Sequence, residues 1–133
     1  MIESAEEFIR LRFSDASEDY GRASTEPAAP GVWREVIEHH PEARFWVAQN
    51  KTVPLEILQV LASDSDSRVR SMVASKRKAT PELLTMLAAD SDESVRLAVA
   101  RHKSVPGDVL EQLRNDSWGE IRDVVRDRLE SGQ

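Results

Sequence analysis

Three sets of side chains in this 133-residue chain have the types and spacing to do chemistry. The first is the pair His39–His40 in the stretch EHHPE. A metal site on histidines wants at least a third ligand. Adjacent histidines point in different directions in a helix or a turn, and the remaining histidine, His102, is far off in sequence, so the pair is expected on a surface turn. The second set is the acids Asp64, Asp66, Asp90, Asp92, Glu93, Asp116 and Glu120. Acid–base catalysis could use such groups, but they fall where helices start, and a side-chain oxygen there accepts the orphan backbone N–H groups of a first turn. The third is the column Arg44, Arg70, Arg96 and Arg122, repeating every 26 residues. Such a column could grip anions. Equally, each guanidinium could bridge with its fork of donors to an acid of its own or the next unit, and we expect this structural ladder. No glycine-rich phosphate loop, nucleophile elbow or helical metal motif is present. The absence of cysteine removes disulfides, thiolate metal sites and cysteine nucleophiles. No catalytic or metal-binding residue, no cofactor and no enzymatic activity is expected.

The 26-residue interval also organises the elements that must position these groups. Besides the arginines it aligns Val69, Val95 and Ile121, then Val73, Val99 and Val125, then Leu58, Leu84 and Leu110, then Leu61, Leu87 and Leu113. Carried backwards, it sets Ala43, Arg44, Val47 and Ala48 beneath Val69, Arg70, Val73 and Ala74, so about four units are present, the first degenerate before Pro41. Each unit reads as two short helices. The first is PLEILQVLAS, PELLTMLAA or GDVLEQLRN, with Leu83, Leu84 and Leu87 on one stripe. Thr80 is placed to cap it and Pro81 to occupy its first turn, where a missing N–H is harmless. The second helix follows the Asp-Ser-Asp stretch, with Asp66 and Asp92 as caps and Val95, Ala98 and Val99 facing inward. Neither helix can bury its stripe alone; stacked units bury a continuous core. Small Ala74 and Ala100 suit close approach, and Arg126 in that column, near Asp123 and Asp127, suits a polar terminal cap.

Composition adds bounds. A chain of this length is one domain by size, and the expected fold class is all-α, an α-solenoid. The formal net charge is −6, with seven acids and three bases in residues 1–30. A nucleic-acid binder usually carries a basic field, so this balance disfavours that class. The amphipathic, acidic start, MIESAEEFIRLRF, is neither a secretory signal nor a membrane span, and a cytoplasmic location is expected. Six of the seven aromatics lie in the first 46 residues: Phe8, Phe13, Tyr20, Trp33, Phe45 and Trp46. We expect a helix at Ala5–Phe13, opened by a Ser4…Glu7 capping box, to cover the first repeat with Phe8, Ile9 and Phe13. The stretch SEDYGRASTEPAAPG then reads as loop or linker. Trp118, in the column of Asp66 and Asp92, reads as a core plug. The organisation expected is residues 1–30 as N-terminal helix and linker packing on the first repeat, and 31–133 as the solenoid.

The stretch TPELLTMLAADSDESVRLAVARHKSVP, with its proline, Leu-Leu pair, Leu-Ala, Asp pair, Val-Arg and Val-Ala, resembles the leucine-rich repeat variant motif within the HEAT-like helical repeats. The resemblance runs over about Val32–Leu129. It implies a right-handed superhelix of short helices, some of them 3₁₀, and it supports arginine ladders as stacking devices. It is unspecific for function. One type of member carries an iron–sulfur cluster on cysteines, which this chain lacks.

The expected function is therefore a non-enzymatic binding module whose partner is a protein, met through the face formed by the second helices. Projecting candidates are Phe45, Ser71, Leu97 and Asp123 in one column, and Gln49, Ser75, Arg101 and Asp127 in another. A basic edge of Lys51, Lys76, Arg77, Lys78, Arg101, His102 and Lys103 supplies the alternative, a nucleic-acid or phosphate-binding module. An immunity-like or inhibitor accessory protein also fits the size and acidity.

Overall fold

The computed structural model describes residues 1–132. Among them are ten α-helices, one 3₁₀ turn and no strand. Among the described residues the only extended pairing is a parallel bridge between Ile2 and Ala28, where the Ile2 N–H donates to the Pro27 carbonyl at 2.9 Å. The chain packs as two compact units, Met1–Leu61 and the residues from Ala62 onward.

In the first unit α1 spans Ala5–Arg12, α2 Ser17–Thr25, α3 Pro30–His39, α4 Arg44–Gln49 and α5 Leu55–Leu61, with the 3₁₀ turn at Pro41–Ala43. Ser4 caps α1, its hydroxyl accepting from the Glu7 N–H at 3.0 Å. The return arm of the expected box lands one residue earlier, since the Glu7 carboxylate takes the Glu3 N–H at 2.8 Å. Helix α1 packs on α2 and α3, α4 on α2 and α3, and α5 on α3 and α4. Phe8 is buried and meets Trp33 edge-on at 5.1 Å. The Trp33 indole N–H has no hydrogen-bond partner, so packing alone holds this large ring.

Two expectations for this unit are corrected. Phe13 does not cover the repeat: it follows the last residue of α1 and is 52% exposed. The stretch read as loop holds α2. Its Gly21, Ser24 and Thr25 argued for a loop, but Glu18 and Asp19 in the first turn favour the helix dipole. The Arg22–Glu26 pair and buried Ala23 add support. Packing against α1 and α4 outweighs the weak local propensity.

In the second unit α6 spans Ser67–Ser75, α7 Pro81–Leu87, α8 Glu93–Arg101, α9 Gly107–Leu113 and α10 Gly119–Glu130. The starts follow the expected chemistry. Asp66 and Asp92 cap α6 and α8 by accepting the N–H groups of Arg68 and Ser94. Thr80 caps α7 by accepting from Leu83 at 3.2 Å, with Pro81 in the first turn. Helix α8 packs on α6, α7, α9 and α10. Val69, Val73, Leu84, Leu87, Val95, Val99, Leu110, Leu113, Ile121 and Val125 are buried, each such side chain contributing about 1.5–3 kcal/mol. Ala74 and Ala100 are wholly buried, while Arg126 is exposed.

The inward stripe of α8 is wider than expected. Leu97 is 8% exposed and belongs to the core, while Ala98 is half-buried. Trp118 is not a buried plug; it is half-buried at the N-cap of α10 and makes no side-chain cap bond.

Candidate interaction surface

The polar side chains sort into those that join neighbouring repeats and those left for a ligand. The arginine column is of the first kind in the second unit. Arg70 reaches the next repeat, with Nε and Nη2 on the two carboxylate oxygens of Asp90 at 2.8 and 3.1 Å, and its Nη1 donates to the Asp64 carbonyl at 2.8 Å. Arg96 repeats this on Asp116 at 2.8 and 3.2 Å, with Nη1 on the Asp90 carbonyl. Asp90 and Asp116 also accept the N–H groups of Asp92 and Trp118 two residues on. Arg122 keeps the bond to its own unit, to the Asp116 carbonyl at 2.7 Å. In the first unit Arg44 donates to the Ile37 carbonyl at 2.8 Å. Burial pushes the Asp90 and Asp116 carboxyls up. The bonds from Arg70 and Arg96, the local backbone N–H groups and the arginine charges outweigh it and hold both below the ordinary value. These bidentate, shielded contacts leave the paired guanidiniums little capacity for an external anion.

A second column of this kind was not read from the sequence. At the 26-residue interval, Asn50, Lys76 and His102 follow α4, α6 and α8, and Arg128 holds the same register inside α10. Asn50 is wholly buried, and its amide donates to the carbonyls of Ala23 and Glu26 at 2.7 and 3.0 Å while its oxygen accepts the Thr52 N–H. His102 is 7% exposed, with Nε2 at 2.8 Å from the Lys76 carbonyl and Nδ1 accepting the Ser104 N–H. Arg128 donates to the carbonyls of Ala100 and His102, both at 2.6 Å. Asn50, His102 and Arg128 each turn back about one repeat to satisfy a carbonyl near the end of an earlier helix, where intrahelical donors run out. The available signal was the recurrence of a long polar residue at one register.

This geometry revises the candidates. His102 leaves the basic edge, because a buried ring with both nitrogens engaged is a clamp. Leu97 leaves the contact columns. Ser71, its counterpart one repeat earlier, points its hydroxyl at the Ser94 carbonyl of α8, so this register runs along a seam between second helices and an apolar residue there is covered. Phe45 and Gln49 are half-buried on α4, and Phe45 lies edge-on to Trp46 at 5.0 Å. Arg12 stacks on the Trp46 ring at 3.4 Å, a cation–π contact. Ser75, Arg101, Asp123 and Asp127 are exposed. Lys51, Arg77, Lys78 and Lys103 are exposed and Lys76 is half-buried. His39 is exposed and His40 half-buried at the end of α3, and no group of three potential metal ligands gathers among the described residues.

The ends of α6 and α8 border a cleft of about 540 Å³. Arg77, Arg101 and Lys103 line it with Ser75, Ser104, Ala98 and the His102 ring. Arg101 reaches Glu120 at 3.2 Å across an exposed contact, whereas Arg77 and Lys103 have no acidic partner among the described residues. A second hollow is lined by Arg114, Arg122, Asp123, Arg126, Leu129 and Glu130, where the charges are mixed.

Among the described residues the regular elements are all helical, and the recurrence of a two-helix unit with its caps and arginine–aspartate bridges is consistent with an α-repeat fold. Residues 94–117, from α8 through α9 to the Asp116 turn, match the leucine rich repeat variant family, a helical repeat family. Neither a curated protein nor a solved structure matches the chain significantly. No helix of the described residues is long and apolar enough to cross a membrane.

Proposed function

We propose that this protein is a non-enzymatic, cytoplasmic interaction module: an α-solenoid of stacked 26-residue repeats that binds another protein through the exposed side of its second helices. Residues 1–30 serve in this reading as the N-terminal element packed on the first repeat. The observation that carries it is the division of labour in the second unit. The recurring residues Arg70, Arg96, Asp90 and Asp116 are consumed in bridges between repeats. The residues that differ from repeat to repeat, Ser75, Arg101 and Asp127, stand exposed in one register. A scaffold that holds its core letters and varies its surface letters presents a recognition surface. Leucine rich repeat variant repeats often take part in protein interaction, which supports the same reading.

The test is affinity capture from the native host with wild-type bait and with an Arg101→Glu/Asp127→Lys variant, both shown helical by circular dichroism. A bound protein lost from the variant supports the assignment. An unchanged set of bound proteins would overturn it.

A further inference from the structure

We infer that the cleft at the ends of α6 and α8 binds an acidic peptide segment whose carboxylates meet Arg77 and Lys103. The inference rests on the interaction-surface reading and names the chemistry of its ligand. The cleft combines three features. Of its cations Arg101 pairs with Glu120, but Arg77 and Lys103 meet no acid among the described residues, although the chain as a whole is at −6 and Arg70 and Arg96 are consumed in bridges. Its floor is partly apolar, with Ala98 and the ring of His102, and that ring is fixed by bonds at both nitrogens. Two helices end at it, since Ser75 and Arg101 are the last residues of α6 and α8.

The carbonyls at these helix ends are already served within the chain, Val99 by the His102 N–H, Ala100 by Arg128 and Val73 by the Lys76 N–H, so the cleft offers a ligand its cationic side chains rather than backbone groups. A peptide meets them with flexible carboxylate side chains that reach outward to Arg77 and Lys103. The apolar floor accommodates the intervening small side chains. The net negative charge of the protein keeps polyanions such as nucleic acid at a distance and leaves this local cationic rim to select short acidic segments.

The experiment uses the full chain and a fluorescent ten-residue peptide of alternating Glu and Ala, with a Gln–Ala peptide, a ten-nucleotide single strand and inorganic phosphate as further arms. The expected result is binding of the Glu–Ala peptide that weakens with salt and is about tenfold weaker in Arg77→Glu/Lys103→Glu. It should be unchanged in Arg114→Glu, which alters the second hollow. Amide resonances of residues 98–104 should shift on titration. No binding of the Glu–Ala peptide, equal loss in Arg114→Glu, or tighter binding of the oligonucleotide overturns the inference, as does displacement by millimolar phosphate. If Arg77→Glu/Lys103→Glu still captures the native partner while Arg101→Glu/Asp127→Lys does not, the interaction surface stands and the acidic-peptide assignment fails.

Discussion

Replacing Arg96 by Met would remove the guanidinium while keeping much of the aliphatic stem, and the consequences can be worked from its contacts. Arg96 is 14% exposed and its partner Asp116 6% exposed, so water replaces little of what is lost. The variant forfeits two bonds to the Asp116 carboxylate and one to the Asp90 carbonyl. Charge-assisted hydrogen bonds contribute about 1.5–3 kcal/mol, and stranding a wholly buried charge costs about 3–5 kcal/mol. Asp116 retains the Trp118 N–H and the nearby charge of Arg122, which places the expected loss near the lower range, about 2–3 kcal/mol. For a chain of this size that lowers the thermal midpoint by about 6–12 °C. Adding Asp116→Asn should recover part of it, because a neutral amide still accepts the Trp118 N–H and leaves no stranded charge. Arg122→Met, in the same column but exposed and without a bidentate acid, is the internal control, expected to cost at most about 1 kcal/mol. The pH dependence has a definite sign. Asp116 is held below its ordinary value in the folded state, so the stabilisation is complete above the unfolded carboxyl pKa and is lost as pH falls through the folded one. The gap between wild type and Arg96→Met should therefore be full above about pH 4 and close below it. Urea unfolding of these four proteins and of Asp116→Asn alone, from pH 7 to pH 3, measures this. A loss under about 0.5 kcal/mol for Arg96→Met, or strict additivity in the double variant, would refute the coupled ladder.

Two further substitutions probe what the sequence left unread. Asn50→Ala strands the Ala23 and Glu26 carbonyls and the Thr52 N–H, and should cost about 2–4 kcal/mol by chemical unfolding. Gly21→Ala, in the middle of α2 where a Cβ meets nothing within 4 Å, should stabilise by about 0.5–1 kcal/mol; a destabilised variant would contradict a helical Gly21.

The interval of 26 residues made the two-helix unit, its caps and its arginine column legible, because those positions keep both residue type and register. Thr80, Asp66 and Asp92 cap where their chemistry requires. The segment around α2 was not legible: Gly21, Ser24 and Thr25 are loop-prone locally, and the helix depends on packing against α1 and α4. Leu97 misled for a related reason. A helical stripe counted on α8 alone allows for one buried face, but α8 has neighbours on more than one side, and the flank that carries Leu97 is covered as well.

The clamp column escaped notice because an amide, an imidazole and a guanidinium share no letter, although all three supply an N–H that can reach back about one repeat. It also decides which charges remain available. His102 sits at extended dihedrals after α8, φ −63° and ψ 135°, and its ring points inward to the Lys76 carbonyl. Arg101 and Lys103 on either side of it are exposed. The basic run Arg101–His102–Lys103 is thus not a uniform stripe; its middle member is consumed by the scaffold and its flanks border the cleft. Lys76, at φ −74° and ψ 137°, occupies the same register and is followed by exposed Arg77. The structural clamp and the cationic rim share one short segment at the end of α8. A substitution that frees His102 from the Lys76 carbonyl should therefore disturb the rim as well as the stacking.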